Sequence, residues 1–170
     1  MKILRLIAAL VVFPSALQAE EKEPAAVVEL GGAGAWISAG GGSSLGPSVS
    51  VEFSPIKNLS IEAGLSPLFG NGPVDWDFDL LFRRPFDLSK TVEFDPGIGP
   101  TWGSTGQFGA QASFEFMFWP WNERKFGWFI DPTYGVSFTN GHQQSFGLTV
   151  GLLIGIPDQK GPPLLFKRDQ

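Results

Sequence analysis

From residue 47 to residue 156 the apolar side chains fall on every second position, and the face they form carries no charged or amide side chain. A repeat of two belongs to extended strands, whose successive side chains point to opposite sides; a helix would repeat at 3.6. Seven runs show it. The first is Pro47, Val49, Val51 and Phe53, and the second runs from Leu59 to Phe69. Val74 to Phe82, Val92 to Trp102, Phe108 to Phe118, Phe126 to Phe138 and Phe146 to Ile156 follow at the same spacing. An eighth strand, about Val27 to Ile37, is rich in Gly and Ala, and Val28, Leu30 and Trp36 agree in parity. The opposite face is Gly, Ser, Thr, Gln and acid, with Leu68, Leu81, Met117, Phe129 and Leu153 as exceptions.

The connections alternate in kind. Segments 55–58, 86–90 and 120–125 are rich in proline and charge, whereas 40–44, 70–73, 103–106 and 140–143 are rich in glycine. Alternate turns of an up-and-down barrel lie at opposite ends, so this rhythm points to one all-β domain: an eight-stranded antiparallel up-and-down β-barrel over residues 27–156. Three prolines, Pro96, Pro100 and Pro132, fall inside predicted strands. Each removes a ladder hydrogen bond, and the expectation is a bulge or local strand end at Asp95-Pro96-Gly97 and at Asp131-Pro132-Thr133.

Which face points inward decides the solvent. An eight-stranded interior is only just wide enough to be filled by side chains, so it accommodates the Gly/Ser/Thr face and not the crowd of Phe and Trp. A soluble sandwich would instead show the polar face to water. That face has no lysine, and Arg83 is its only clear cation, unlike soluble surfaces of mixed charge. Trp119, Trp121, Phe126 and Trp128 gather toward one end, and Trp36, Phe69, Trp76, Trp102, Phe138 and Phe146 toward the other, as two interfacial girdles would. The reading is a transmembrane barrel, apolar outward. A soluble periplasmic barrel that binds an apolar ligand is the competing fold-level alternative.

The first 19 residues read as an export signal. Lys2 and Arg5 precede the apolar stretch from Leu6 to Phe13, and Leu17-Gln18-Ala19 ends on a small residue. Residues 20–26 form a polar lead-in and 157–170 a Pro-rich charged tail, expected in the periplasm. Loss of Lys2 and Arg5 moves the net charge from −5 to −7, which argues against a nucleic-acid partner. With no cysteine, disulfides and thiolate metal sites are excluded. Gly31-Gly32-Ala33-Gly34 and Gly40-Gly41-Gly42 lack the Lys-Ser/Thr of a phosphate loop, and no cofactor motif is present.

In architecture, residues 27–156 resemble the small outer-membrane β-barrels of Gram-negative bacteria, of the OmpA/OmpX-like type. Asp131-Pro132-Thr133-Tyr134-Gly135-Val136 looks like the Pro-Tyr-x-Gly strands of that group. The last strand, Thr149 to Ile156, resembles its assembly signal, although isoleucines replace the aromatics and residues 157–170 continue past it. The resemblance implies a cell outer-membrane location after export through the inner membrane. It also implies outer-membrane lipid and the barrel assembly machinery as partners.

The inward face carries the candidate site. Glu52, Glu62, Asp79, Glu93, Asp95, Glu115 and Asp131 are inward by parity and lie near the charged turns, Asp79 farthest; Arg83 is the cation among them. So many carboxylates cannot all stay ionised and unpaired in a dry barrel. They are hydrated, protonated, paired with Arg83 and Arg84, or bound to a cation. One reading is a hydrogen-bonded plug in a non-enzymatic protein, structural or solute-binding; the sharper one is a narrow cation-preferring pore with an acidic constriction. An enzymatic alternative rests on His142 and Ser145. Some outer-membrane barrels modify lipid A, but the spacing here is His-x-x-Ser and the last strand carries no acid.

Overall fold

The computed structural model describes residues 24–37, 42–56, 58–70, 74–104, 106–139 and 143–157. Among them every regular element is a strand: β1 (Ala26–Ile37), β2 (Ser43–Ile56), β3 (Leu59–Leu68), β4 (Asp75–Arg83), β5 (Phe86–Asp87), β6 (Val92–Gly103), β7 (Phe108–Phe118), β8 (Phe126–Ser137) and β9 (Gln144–Ile156). Each pairs antiparallel with its neighbours. The ring closes where β1 meets β9 and where β4 meets β6. β4 and β5 are one stave interrupted at Pro85: Arg83 lies opposite Gly97 and Phe86 opposite Phe94 in one continuous register, and the Arg84 amide between them donates to the Pro96 carbonyl at 3.0 Å. The result is a closed eight-stranded antiparallel barrel. Closure leaves no edge strand, so the ladder satisfies its own backbone groups without water.

Alternation sorts the side chains as the period of two demands. The outward set is apolar and uncovered: Leu30, Val49, Phe53, Phe82, Ile98 and Trp128 are all exposed, and Leu152 reaches 62%. Aromatics pair along both rims. Phe118 stacks on Trp128 at 3.8 Å and Phe94 meets Phe116 at 4.8 Å toward the charged turns. Trp102, Phe108 and Phe138 form a chain of contacts toward the Gly-rich loops, and Tyr134 meets Phe146 at 5.2 Å. Trp119 departs from the expected girdle. Its neighbour Phe118 points out, so parity turns Trp119 inward, where it is 1% exposed. With Val27, Met117, Phe129 and Leu153 it forms an apolar cluster in the interior.

The prolines do not make the expected bulges. Asp95, Pro96 and Gly97 face Glu115, Phe114 and Ser113 without a register shift, and Pro132 faces Leu148 within an unbroken β8–β9 ladder. In an antiparallel sheet each residue bonds to one neighbouring strand only, so a proline silences one rung and leaves the other side intact. The silent rungs are visible. β7–β8 pairing skips from Ser113–Thr133 to Phe116–Ile130, and β4–β6 pairing skips from Asp79–Thr101 to Phe82–Ile98, opposite Pro100. At the first gap the Phe114 amide donates instead to Asp131 Oδ1, at 3.2 Å. The register shift that does occur lies between Phe53 and Ile56, the segment that contains Pro55.

Candidate functional site in the barrel lumen

The interior is built in two zones. The zone toward the charged turns is filled by two guanidinium groups and the carboxylates around them. Arg83, at the end of β4, is 1% exposed. Its Nε donates to Glu62 Oε2 on β3, its Nη1 donates to the Asp95 carbonyl at 2.9 Å and stands 3.1 Å from Glu115, and its Nη2 donates to Asp131 at 3.2 Å. One planar fork thus ties β3, β4, β6, β7 and β8 together across the lumen, a geometry suited to guanidinium and not to an ammonium. Gly97 makes room for it: a Cβ there would stand 2.7 Å from Arg83 Cγ. Asp131 also accepts from Ser113 Oγ at 2.6 Å, so its carboxylate serves a hydroxyl, a guanidinium and an orphaned amide at once.

The second guanidinium comes from a turn. Arg124, in the β7–β8 connection, has a φ of 46° and is 2% exposed. A left-handed backbone costs a non-glycine residue roughly 1–2 kcal/mol, and here it accompanies a side chain folded back under the barrel. Arg124 Nη1 donates to Glu93 at 2.8 Å and Nη2 to Asp87 at 2.6 Å. Trp119 packs beside it in the lining of one small cavity of about 30 Å³. Gly127 leaves space for the indole, since a Cβ there would come within 3.0 Å of Trp119 Cε3.

The zone toward the Gly-rich loops is open. A cavity of about 80 Å³ is lined by Glu29, Glu62, Asp77, Asp79, Gln111, Thr133 and Thr149 with Leu81 and Phe129. Beyond it a vestibule of about 130 Å³ is lined by Asp75, Asp77, Gln107, Ser137, Gln144 and Ser145. At ~10–15 Å³ per water-sized probe these spaces admit several waters each.

The predicted residues therefore separate into three groups. Glu62, Glu115 and Asp131 gather on Arg83, while Glu52 and Asp95 lie buried in the same zone. Glu93 belongs to Arg124 instead. Asp79 stands higher, half-buried, with Thr101 opposite it on β6. The Arg84 guanidinium lies over the Phe86 ring, 5.1 Å from the centroid, and Arg124 is a further cation buried in this zone. Two participants escaped the sequence reading. Glu29 is 3% exposed and accepts from Ser50 Oγ at 2.6 Å; its parity, opposite to Val28 and Leu30, was the available signal. For Arg124 no periodic signal exists, because a turn places it. Ser145 lines the vestibule, and His142 lies outside the described residues, as do the export signal and most of the C-terminal tail.

Comparison with solved structures finds the same fold at low sequence identity. A de novo designed transmembrane β-barrel matches with a TM-score of 0.59 and 8% identity, over 80% of this chain and 99% of the design. OprG, an outer-membrane protein of Pseudomonas aeruginosa, matches with 0.57 and 10%, over 79% and 96%. Ail, the attachment invasion locus protein of Yersinia pestis, matches with 0.55 and 12%, over 78% and 98%. No protein-family model matches the sequence, and no curated protein matches it at a significant level. The chain is thus similar in fold to small transmembrane barrels of eight strands, outer-membrane proteins of Gram-negative bacteria among them.

Proposed function

We propose that the chain is an integral outer-membrane protein that works without catalysing a reaction, as a closed barrel with a structural or solute-binding role. The observation that carries this is the inversion of its two faces. Apolar and aromatic side chains cover the outside, and Glu29, Glu52, Glu62, Arg83, Asp95, Glu115 and Asp131 are buried within. Water would penalise the first arrangement at roughly 25 cal/mol per Å² of exposed apolar surface, whereas a bilayer does not. On this reading the charged turns and the tail from residue 157 face the periplasm, the barrel is inserted by the assembly machinery, and the vestibule opens outward. A small polar solute is the ligand class that the Gln, Ser and Asp lining of the vestibule favours.

The closed state favours plug over pore. Leu81, Arg83, Met117, Trp119, Arg124, Phe129 and Leu153 are each at most 2% exposed, so the cross-section toward the charged turns is filled. The test is fractionation followed by gel mobility of the unheated and the boiled sample in SDS. Two positions in the outer-membrane fraction are expected, because closed barrels resist SDS until heated. A single position with the protein in the periplasmic extract overturns the reading in favour of a soluble barrel. The enzymatic alternative is separated by His142→Ala: lipid A profiles unchanged by that substitution are expected, and a lost lipid A modification contradicts the non-enzymatic reading.

A further inference from the structure

The ion pairs around Arg83 leave acids over. Six carboxylates, of Glu29, Glu52, Glu62, Asp95, Glu115 and Asp131, are buried in this zone against one guanidinium. Three of the six converge, and only one of those three, Glu115, is paired with Arg83. One carboxylate oxygen from each of Glu29 on β1, Glu52 on β2 and Glu115 on β7 lies within 4.8 Å of the other two. Glu29 Oε1 and Glu52 Oε2 have no hydrogen-bond partner; Glu115 accepts no hydrogen bond on either oxygen, and its Oε2 stands 3.1 Å from Arg83 Nη1 as an ion pair. A separate group points the same way. The Asp95 carboxylate, 1% exposed, has no hydrogen-bond partner on either oxygen. It stands opposite Glu115 in the β6–β7 register and lines the same small cavity as Glu52. Unpaired buried acceptors are costly, and here they converge from four strands.

We propose that Glu29, Glu52 and Glu115, with Asp95 beside them, form a binding site for a calcium-sized divalent cation inside the barrel. The donors are all hard oxygens, the set that calcium and magnesium take. Two oxygens on one calcium, at roughly 2.3–2.6 Å each, can stand up to about 5 Å apart. The separations here fit that span. Magnesium would need a tighter, near-octahedral set at about 2.0–2.1 Å. Access is provided on the vestibule side. Asp75, Asp77 and Asp79 share the inward face of β4; the first two line the vestibule, and the last two line the cavity that Glu29 reaches. A cation entering from the Gly-rich loops therefore meets carboxylates at every step down to Glu29, the member of the cluster that lines this cavity. The site needs only the folded barrel and does not depend on where the barrel resides.

The experiment is equilibrium dialysis of the EDTA-stripped, detergent-purified full chain against radioactive calcium, with the SDS heat shift as an independent check of folding. One calcium per barrel is expected, with a higher temperature for the heat-induced mobility change in its presence, because an ion that binds only the folded form stabilises it. Glu52→Gln and Glu115→Gln should each weaken binding by roughly tenfold or more. Glu123→Gln, on the exposed β7–β8 turn, should bind as the parent does. Where one of the lumen variants loses its heat shift, Asp95→Asn takes its place, with the same expected weakening. A heat-shifting parent barrel that retains no calcium overturns the proposal and leaves the acids to hold protons. Calcium binding unchanged by the lumen substitutions overturns it as well, since the ion would then sit elsewhere.

Discussion

The two zones of the lumen are built by the same strands under the same alternation, yet one is solid and the other hollow. Toward the charged turns the inward positions carry Arg83, Met117, Trp119, Leu153 and Glu115, all at most 1% exposed. Toward the Gly-rich loops they carry Ala35, Gly135, Ser137, Ser145 and Gly147, and a space of about 130 Å³ remains. Eight strands fix an interior of one width, just fillable by side chains. Side-chain volume then decides whether a given level is closed. The polar character differs too. In the closed zone charges meet one another directly at 2.6–3.2 Å, and the open zone has room for water to do that work.

That contrast can be broken most severely at Arg83. Arg83→Ala strands Glu62, Glu115 and Asp131 without their shared cation and should cost about 3–5 kcal/mol of stability, read from the urea unfolding midpoint of the barrel in detergent. Trp119→Ala removes the largest fully buried side chain among the described residues and should cost about 3 kcal/mol. If it costs under ~1 kcal/mol, the closed zone is not held by packing at its base. A sharper variant combines Arg83→Met with Glu62→Gln, Glu115→Gln and Asp131→Asn. With the whole network neutral it should recover to within about 1–2 kcal/mol of the parent in EDTA, because stranded charge and not lost attraction is what destabilises Arg83→Ala. No recovery would mean that the shape of the guanidinium matters more than its charge. The smallest effects belong to the vestibule: Gln107→Ala and Ser145→Ala should stay within about 0.5 kcal/mol. A loss above 2 kcal/mol at either would show that the open zone is structural as well.

Much of this was legible because a strand has a rigid parity. The outward set and the inward acids follow from counting by twos, since a one-residue slip would turn every side chain to the wrong face. The same counting places Trp119 and Glu29 inside, against the end-clustering that suggested a girdle for the one and the Gly-rich neighbourhood that obscured the other. The prolines disturb the ladder less than their positions suggest. Pro96 and Pro132 remove one rung each, and a neighbouring side chain can absorb the loss, as Asp131 does for Phe114. Arg124 could not be read at all, because its position depends on a left-handed residue in a turn, which no periodicity encodes. Nor does the sequence say which acids converge. Glu29, Glu52 and Glu115 are brought together by closure of the ring, a contact between strands far apart in the chain.

The lumen is shut toward the charged turns. Planar-bilayer recording of the heat-shifting, purified barrel tests it most directly. Insertion without steady current steps is expected in potassium chloride, with steps appearing only when the closed zone is cut open, as by Trp119→Ala combined with Arg124→Ala. Steady, cation-selective steps from the unaltered barrel would contradict it and establish the acidic interior as a pore.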